Sequence, residues 1–219
     1  MKKLFKIIIF LFIVSVILSI VYWLFFAPVG SSNEIQVFVI PENKENFDVV
    51  NMLKEKKFIK NAKTFKFLID NFSYGKGMES GGYRFSQNMN AWQIMKKISG
   101  KPDLVWFRQS YCVRKEQLGE YLAEALGWSG TQLNSWNNLY KTDKPEYFEG
   151  VYYPDTYLIP LDETPAQVAQ RFINRFNEKF APLAEGFASK NIKWTTGVKI
   201  ASLIAREAAG TSDMKLISG

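Results

Sequence analysis

The chain contains no histidine and a single cysteine, Cys112, in 219 residues. One thiol cannot form an intrachain disulfide. Without imidazole or clustered thiols, the usual zinc sites and any His-dependent nucleophile are absent from this chain. Acidic residues are in the minority, 21 against 28 lysines and arginines, for a formal charge of +7. Lys2, Lys3 and Lys6 account for three of those charges, and the remaining excess is spread thinly. The exception is Lys54, Lys56, Lys57 and Lys60, which read as a solvated helix face.

What the chain does have is a long uncharged run. Residues 7–26, IIIFLFIVSVILSIVYWLFF, match the ~30 Å hydrocarbon core of a bilayer at ~1.5 Å per residue. With lysines in front of the run, the positive-inside rule keeps residues 1–6 in the cytoplasm as a short tag and puts the chain from about Ala27 outside. A cleaved signal peptide would have a shorter apolar region ending in small residues. This run ends in Tyr22, Trp23, Phe25 and Phe26, an interfacial aromatic cluster that favours an uncleaved anchor. Nucleic acid is then not expected as a partner, whereas a mildly basic exported surface suits an anionic polymer such as cell wall. An apolar content of 47% argues that the rest is folded.

Residues 27–34 read as a linker. Beyond it, Ile35, Val37 and Val39 alternate with Gln36 and Phe38 as in a half-buried strand closed by Pro41. Asn46 is a candidate cap for a helix carrying Val49, Val50 and Leu53; a second helix has Phe65, Leu68, Ile69 and Phe72 at i, i+3, i+4 and i+7. Gly75, Gly77, Gly81 and Gly82 mark a loop before a strand at 83–85. Asn90 and Gln93 then form a capping pair for a helix stopped by Gly100. A strand at 104–109 leads to a helix with Leu118, Tyr121, Leu122 and Ala125 on one face, ended by Gly127. The order strand, helix, helix, strand fits a LysM-type glycan-binding module and equally an ordinary α+β packing unit.

In the second half, Pro154 and Asp155 predict a turn among Tyr152, Tyr153 and Tyr157, which either pack under it or line a sugar site. Thr164, Pro165 and Gln167 start a helix whose Val168, Phe172 and Phe176 repeat every four residues, with a break expected at Pro182. A last helix is predicted over 198–210, VKIASLIAREAAG. Its apolar stripe is Ile200, Leu203, Ile204 and Ala208, and Glu207, seven residues after Ile200, falls only ~20° from it. A carboxyl group there is either desolvated or facing a cleft, keeping its proton to higher pH as a general acid must, or it reaches solvent past a short last turn.

The block EGVYYPDTYLIP at 149–160, with ASLIAREAAG at 201–210, resembles the YceG-like (MltG) endolytic murein transglycosylases. That family has one N-terminal membrane span, a LysM-like region, and a catalytic domain with an EGxxxPDTY block upstream of an ASIxExE helix. The resemblance runs along essentially the whole chain. It implies an α+β fold with a LysM-like region at 35–110 and the first part of a mixed α/β catalytic domain at 111–219, in a bacterial cytoplasmic membrane. Glu207 aligns with the family's catalytic acid. The first Glu of that motif is replaced by Ala205, and the family's IPEG or IPKG reads Ile40, Pro41, Glu42, Asn43.

Members continue well beyond the acid, whereas this chain ends at Gly219. The expectation is therefore a fragment or a truncated product whose cleft lacks one wall. The implied reaction is cleavage of the β-1,4 bond between N-acetylmuramic acid and N-acetylglucosamine in nascent glycan strands, leaving 1,6-anhydro ends and terminating elongation, with no metal and no cofactor. Glu149, Asp155 and Tyr157 are candidates for positioning the sugar, a structural turn being an equal reading for Asp155. Peptidoglycan strands are the implied substrate, the membrane a partner and cell-wall synthases candidate partners. The rivals are a non-catalytic, membrane-anchored glycan-binding protein and a structural subunit of a division or elongation complex.

Overall fold

The structure, a computed structural model, describes residues 2–42, 48–73, 77–110 and 112–218. It is an α+β fold whose strands, in hydrogen-bonded order, run β1-β2-β3-β4. The chain divides into two compact units, Met1–Trp106 and Phe107–Gly219, so that β3 (Leu104–Arg108) is shared between them.

The first unit opens with α1 (Lys2–Val21), continued by a π-helical turn, Tyr22–Phe26. Leu4–Phe26 is a helix long and apolar enough to cross a membrane. β1 (Gln36–Ile40) then pairs antiparallel with β2 (Gly81–Phe85), from Gln36 opposite Phe85 to Ile40 opposite Gly81. Between them lie α2 (Val49–Glu55) and α3 (Ala62–Phe72), and α4 (Ala91–Ile98) follows. Each helix starts where a side chain satisfies free amide groups. Asp48 accepts from Asn51 N at 3.0 Å, Asn61 from Lys63 N at 2.8 Å, and Asn90 and Gln93 form the expected reciprocal box. The predicted cap Asn46 lies outside the described residues.

Two sequence expectations are corrected in this unit. On β1 it is Phe38 and Ile40 that are fully buried, while Ile35 and Val37 face solvent. A strand has period two, and the face that wins is the one on which Phe38 meets Phe58 and Phe85, at 6.2 and 5.9 Å between ring centroids. Gly81 and Gly82 belong to β2 rather than to a loop. A Cβ at Gly81 would sit 2.6 Å from the Leu104 carbonyl oxygen, so this edge admits only glycine where β3 crosses close to β2.

The second unit contains α5 (Lys115–Leu126), α6 (Gly130–Asn138), a 3-10 turn (Pro145–Tyr147), β4 (Thr156–Pro160), α7 (Pro165–Ser189), α8 (Trp194–Glu207) and α9 (Thr211–Ser218). Gly127, at φ +68°, ends α5 in the left-handed conformation expected of it. The Thr164–Gln167 box starts α7, but no break occurs at Pro182, which is carried inside a continuous helix. Tyr121, expected on the buried face of α5, is exposed. The centre of the unit is Trp136 of α6, fully buried, with Trp128, Tyr152 and Phe172 at 5.8, 5.2 and 6.4 Å. Gly119 makes room for it on α5, since a Cβ there would lie 2.5 Å from the Trp136 Cδ1.

Candidate active site

Two glycines decide where α8 lies. Gly150 has φ +82°, and a Cβ on it would stand 2.6 Å from Val198 Cγ1. Gly197 meets Phe187 so closely that a Cβ would stand 2.1 Å from its Cε1. The first lets α8 approach the segment carrying Glu149, and the second lets it fold back on α7. Trp194, at the start of α8, is wedged between Tyr147 and Phe176 at 5.8 and 5.6 Å. A cleft of about 740 Å3 opens between that segment and α8, lined by Phe148, Glu149, Trp194, Ser202, Leu203 and Arg206 among others. Phe148 and Trp194 give it aromatic walls, and Glu146, Glu149, Lys199 and Arg206 give it charged groups of both signs, so that it can stack an apolar ligand face and hydrogen-bond a polar one.

Glu149 is exposed as a residue, yet its carboxylate is directed at the start of α5, where it accepts from Lys115 N at 3.1 and 3.4 Å. Partial desolvation raises its pKa above the ordinary carboxylate value, opposed by that amide and by the charges of Lys115 and Arg114. Lys115 itself is fully buried. Its ammonium group donates to the Leu139 carbonyl oxygen and lies 4.1 Å over the Phe148 ring. Burial pushes its pKa down to about 8, with Glu116 and Glu149 acting in the opposite direction.

This lysine makes stability depend on pH with a definite sign. Between its folded pKa of about 8 and its free value of 10.5, the unfolded chain binds a proton that the folded chain lacks, so stability rises with pH. From pH 7 to 9.5 the gain is ~2 kcal/mol. The window stops short of the tyrosines, because burial raises the phenols of Tyr83, Tyr152 and Tyr157 and stability is lost as pH climbs past their free value. Urea denaturation at both pH values in a Cys112→Ser background, which removes a thiol whose pKa burial pushes up and whose titration opposes the rise, is expected to give that rise with Lys115 in place and a flat profile in Lys115→Met. Equal pH dependence in the two would mean that Lys115 is solvated.

Asp155 and Tyr157 do not line the cleft. Asp155 accepts from Thr156 N at 2.8 Å and from Arg175 Nε at 2.6 Å, and its own carbonyl oxygen accepts from Gln109 N at 2.9 Å. The Thr156 amide and the Arg175 guanidinium hold its carboxyl below the usual range. The Tyr157 ring is buried 4.2 Å from Phe172, and its hydroxyl donates to the Tyr153 carbonyl oxygen. Both residues brace the strand that follows the Glu149 loop.

Glu207 is the last residue of α8; Ala208 is already extended, at φ −78° and ψ 130°, so the helix stops three residues before the expected end. The carboxylate is exposed rather than desolvated. It lies one turn beyond Leu203, a cleft residue, on the stripe where Ile200 and Leu203 are 50% and 64% exposed. The expected apolar stripe exists, but among the described residues little packs on it.

The family model for YceG-like proteins matches residues 38–219. The chain belongs to the YceG-like family. Among curated proteins none matches it. Among solved structures it is similar to a protein of Listeria monocytogenes described as yceG-like, with 20% identity over 84% of this chain and 68% of that one and a TM-score of 0.47. Within the site of this YceG-like chain, sequence reasoning missed Lys115, Trp136 and Trp194. Ser129 with Gln132 has the spacing of a helix start and would have revealed α6 and its Trp136. Nothing local distinguishes Lys115, which follows Arg114 as half of an ordinary basic pair.

Proposed function

We propose that this YceG-like protein is an endolytic peptidoglycan transglycosylase. The observation that carries the reading is the close approach at Gly150, by which Glu149 and Gly150, the first two residues of the EGVYYPDTY segment, line one cleft with α8. Glu207, outside the cleft lining but one turn beyond Leu203 and next to Arg206, which both line it, acts as general acid, protonating the glycosidic oxygen between N-acetylmuramic acid and N-acetylglucosamine. The resulting carboxylate then takes the proton of the muramic acid 6-hydroxyl as that oxygen attacks the anomeric carbon. The C1–O bond breaks, an internal C1–O6 bond forms, and no water is consumed. A second protein carboxylate, which a hydrolase needs, is not required. Glu149, held by the start of α5, binds sugar hydroxyls at the opposite wall, and Asp155 and Tyr157 keep its loop in place.

Peptidoglycan strands are thus the substrate, and cleavage of nascent strands ends their elongation beside the synthases. The apolar N-terminal helix is a single span of the bacterial cytoplasmic membrane, with its lysines inside and the bulk of the chain outside. The run β1, α2, α3, β2 supports a LysM-like glycan-binding role for the first unit. The exposure of Glu207 favours one rival, a membrane-anchored protein that binds glycan without cutting it.

Mass spectrometry of uncrosslinked glycan strands incubated with the full-length protein separates the readings. Products with 1,6-anhydro ends, one water lighter than reducing ends, are expected. Reducing ends would make the enzyme a hydrolase, and retained but intact strands would leave only binding.

A further inference from the structure

The end of the apolar helix is clamped to the first unit by a closed circuit of rings. Phe25 meets Phe67 of α3 at 6.5 Å, Phe67 meets Phe72 at 6.4 Å, Phe72 meets Trp92 of α4 at 5.3 Å, and Trp92 meets Phe26 at 6.4 Å. Lys60 adds its ammonium group 4.7 Å over the Trp23 ring. The segment read from sequence as a linker is tied down too: Gly30 N donates to Gln87 O at 3.0 Å and Asn88 N to Ser32 O at 3.1 Å. These contacts leave little play between the helix end and the domain behind it.

The circuit nevertheless faces outward. Phe67 is 53% exposed and Phe72 40%, an aromatic patch that water disfavours. Its depth follows from its attachment. As a helix, Leu4–Phe26 is 23 residues long, or ~34 Å against a ~30 Å hydrocarbon core, so its aromatic end emerges at the headgroup boundary. Side chains in ring contact with that end lie at the same level. One turn from Phe67 on α3 is Lys63, and one turn from Trp92 on α4 is Lys96, both exposed. Aromatic rings flanked by lysines are the side chains that partition best at this boundary, the rings among the glycerol groups and the ammonium groups on phosphates.

We propose that the face carrying Phe67, Phe72 and Trp92, rimmed by Lys63 and Lys96, is a lipid-contact surface. Its occupant is anionic phospholipid of the leaflet into which the helix emerges. The proposal rests on the reading of the N-terminal helix as a membrane span, though not on its orientation. Its consequence is that the first unit lies on the bilayer at a set height instead of swinging from a tether.

The test uses the full chain in a Cys112→Ser background, with single cysteines at Lys63→Cys, Lys96→Cys, Lys54→Cys on α2, and Ser15→Cys within α1. Each is labelled with an environment-sensitive fluorophore and reconstituted in phosphatidylethanolamine–phosphatidylglycerol vesicles containing lipid with a doxyl quencher near the headgroup or deep in the chain. The labels at 63 and 96 are expected to lose most of their emission to the shallow quencher, the label at 15 to the deep one, and the label at 54 to neither. Quenching at 15 without quenching at 63 and 96 overturns the surface while the span stands; no quenching at 15 overturns both. Labels at 63 and 96 that are shielded from aqueous iodide yet unquenched by lipid would mean that protein covers the face, and the proposal falls.

Discussion

Glu207→Gln in the full-length protein is expected to slow glycan-strand cleavage by at least ~10²-fold, the scale of a lost general acid. The amide keeps the size and hydrogen bonding of the acid but cannot deliver a proton to the leaving oxygen. Folding should be unchanged, because Glu207 is exposed at the last turn of α8 and packs into nothing that the substitution would disturb. Binding of strands should persist, since the cleft walls at Phe148, Glu149 and Trp194 are untouched. The loss is expected in kcat rather than in KM. Full activity in Glu207→Gln would remove the proposed mechanism, and loss of binding along with rate would make the residue a sugar ligand.

Trp136→Ala should cost the second unit ~3–5 kcal/mol, the range for deleting a large buried aromatic side chain. The ring is fully buried among Trp128, Tyr152 and Phe172 and lies against the backbone at Gly119. Its Nε1 also donates to the Lys115 carbonyl oxygen at 2.9 Å. The cavity therefore opens beside the residue whose amide holds Glu149, so strand binding is expected to weaken even where the unit stays folded. Urea titration followed by near-ultraviolet circular dichroism measures the loss, and Trp136→Phe should restore part of it by refilling most of the space. A change under ~1 kcal/mol, typical of a surface site, would contradict this packing.

Helix starts were legible in the sequence because capping is a local transaction. The Asn90–Gln93 and Thr164–Gln167 boxes each satisfy amides within a few residues of the cap, so a short window contains both partners. Gly127 was legible for the same reason. β1 was legible as a strand but its buried face was not, since Ile35, Val37 and Val39 are as apolar as Phe38 and Ile40, and only the rings of Phe58 and Phe85 select between the two faces. Pro182 misled because the proline rule is local, whereas the helix around it is carried by packing at its ends: Phe172 against Tyr157, and Phe187 against Gly197 and Phe180.

The candidate site divides along the same line. Family membership, the apolar helix after its lysines and the two motif blocks are properties of residue order, and the sequence alone determined them. That Glu149 and α8 line one cleft was decided in three dimensions, through glycines at 150 and 197 that admit a neighbour where any side chain would collide. The burial of Lys115, the bracing roles of Asp155 and Tyr157, and the exposure of Glu207 were decided there as well. Periodicity states which side of a helix a residue is on, but burial depends on what is packed against that side, and for α8 that comes from partners distant in the chain.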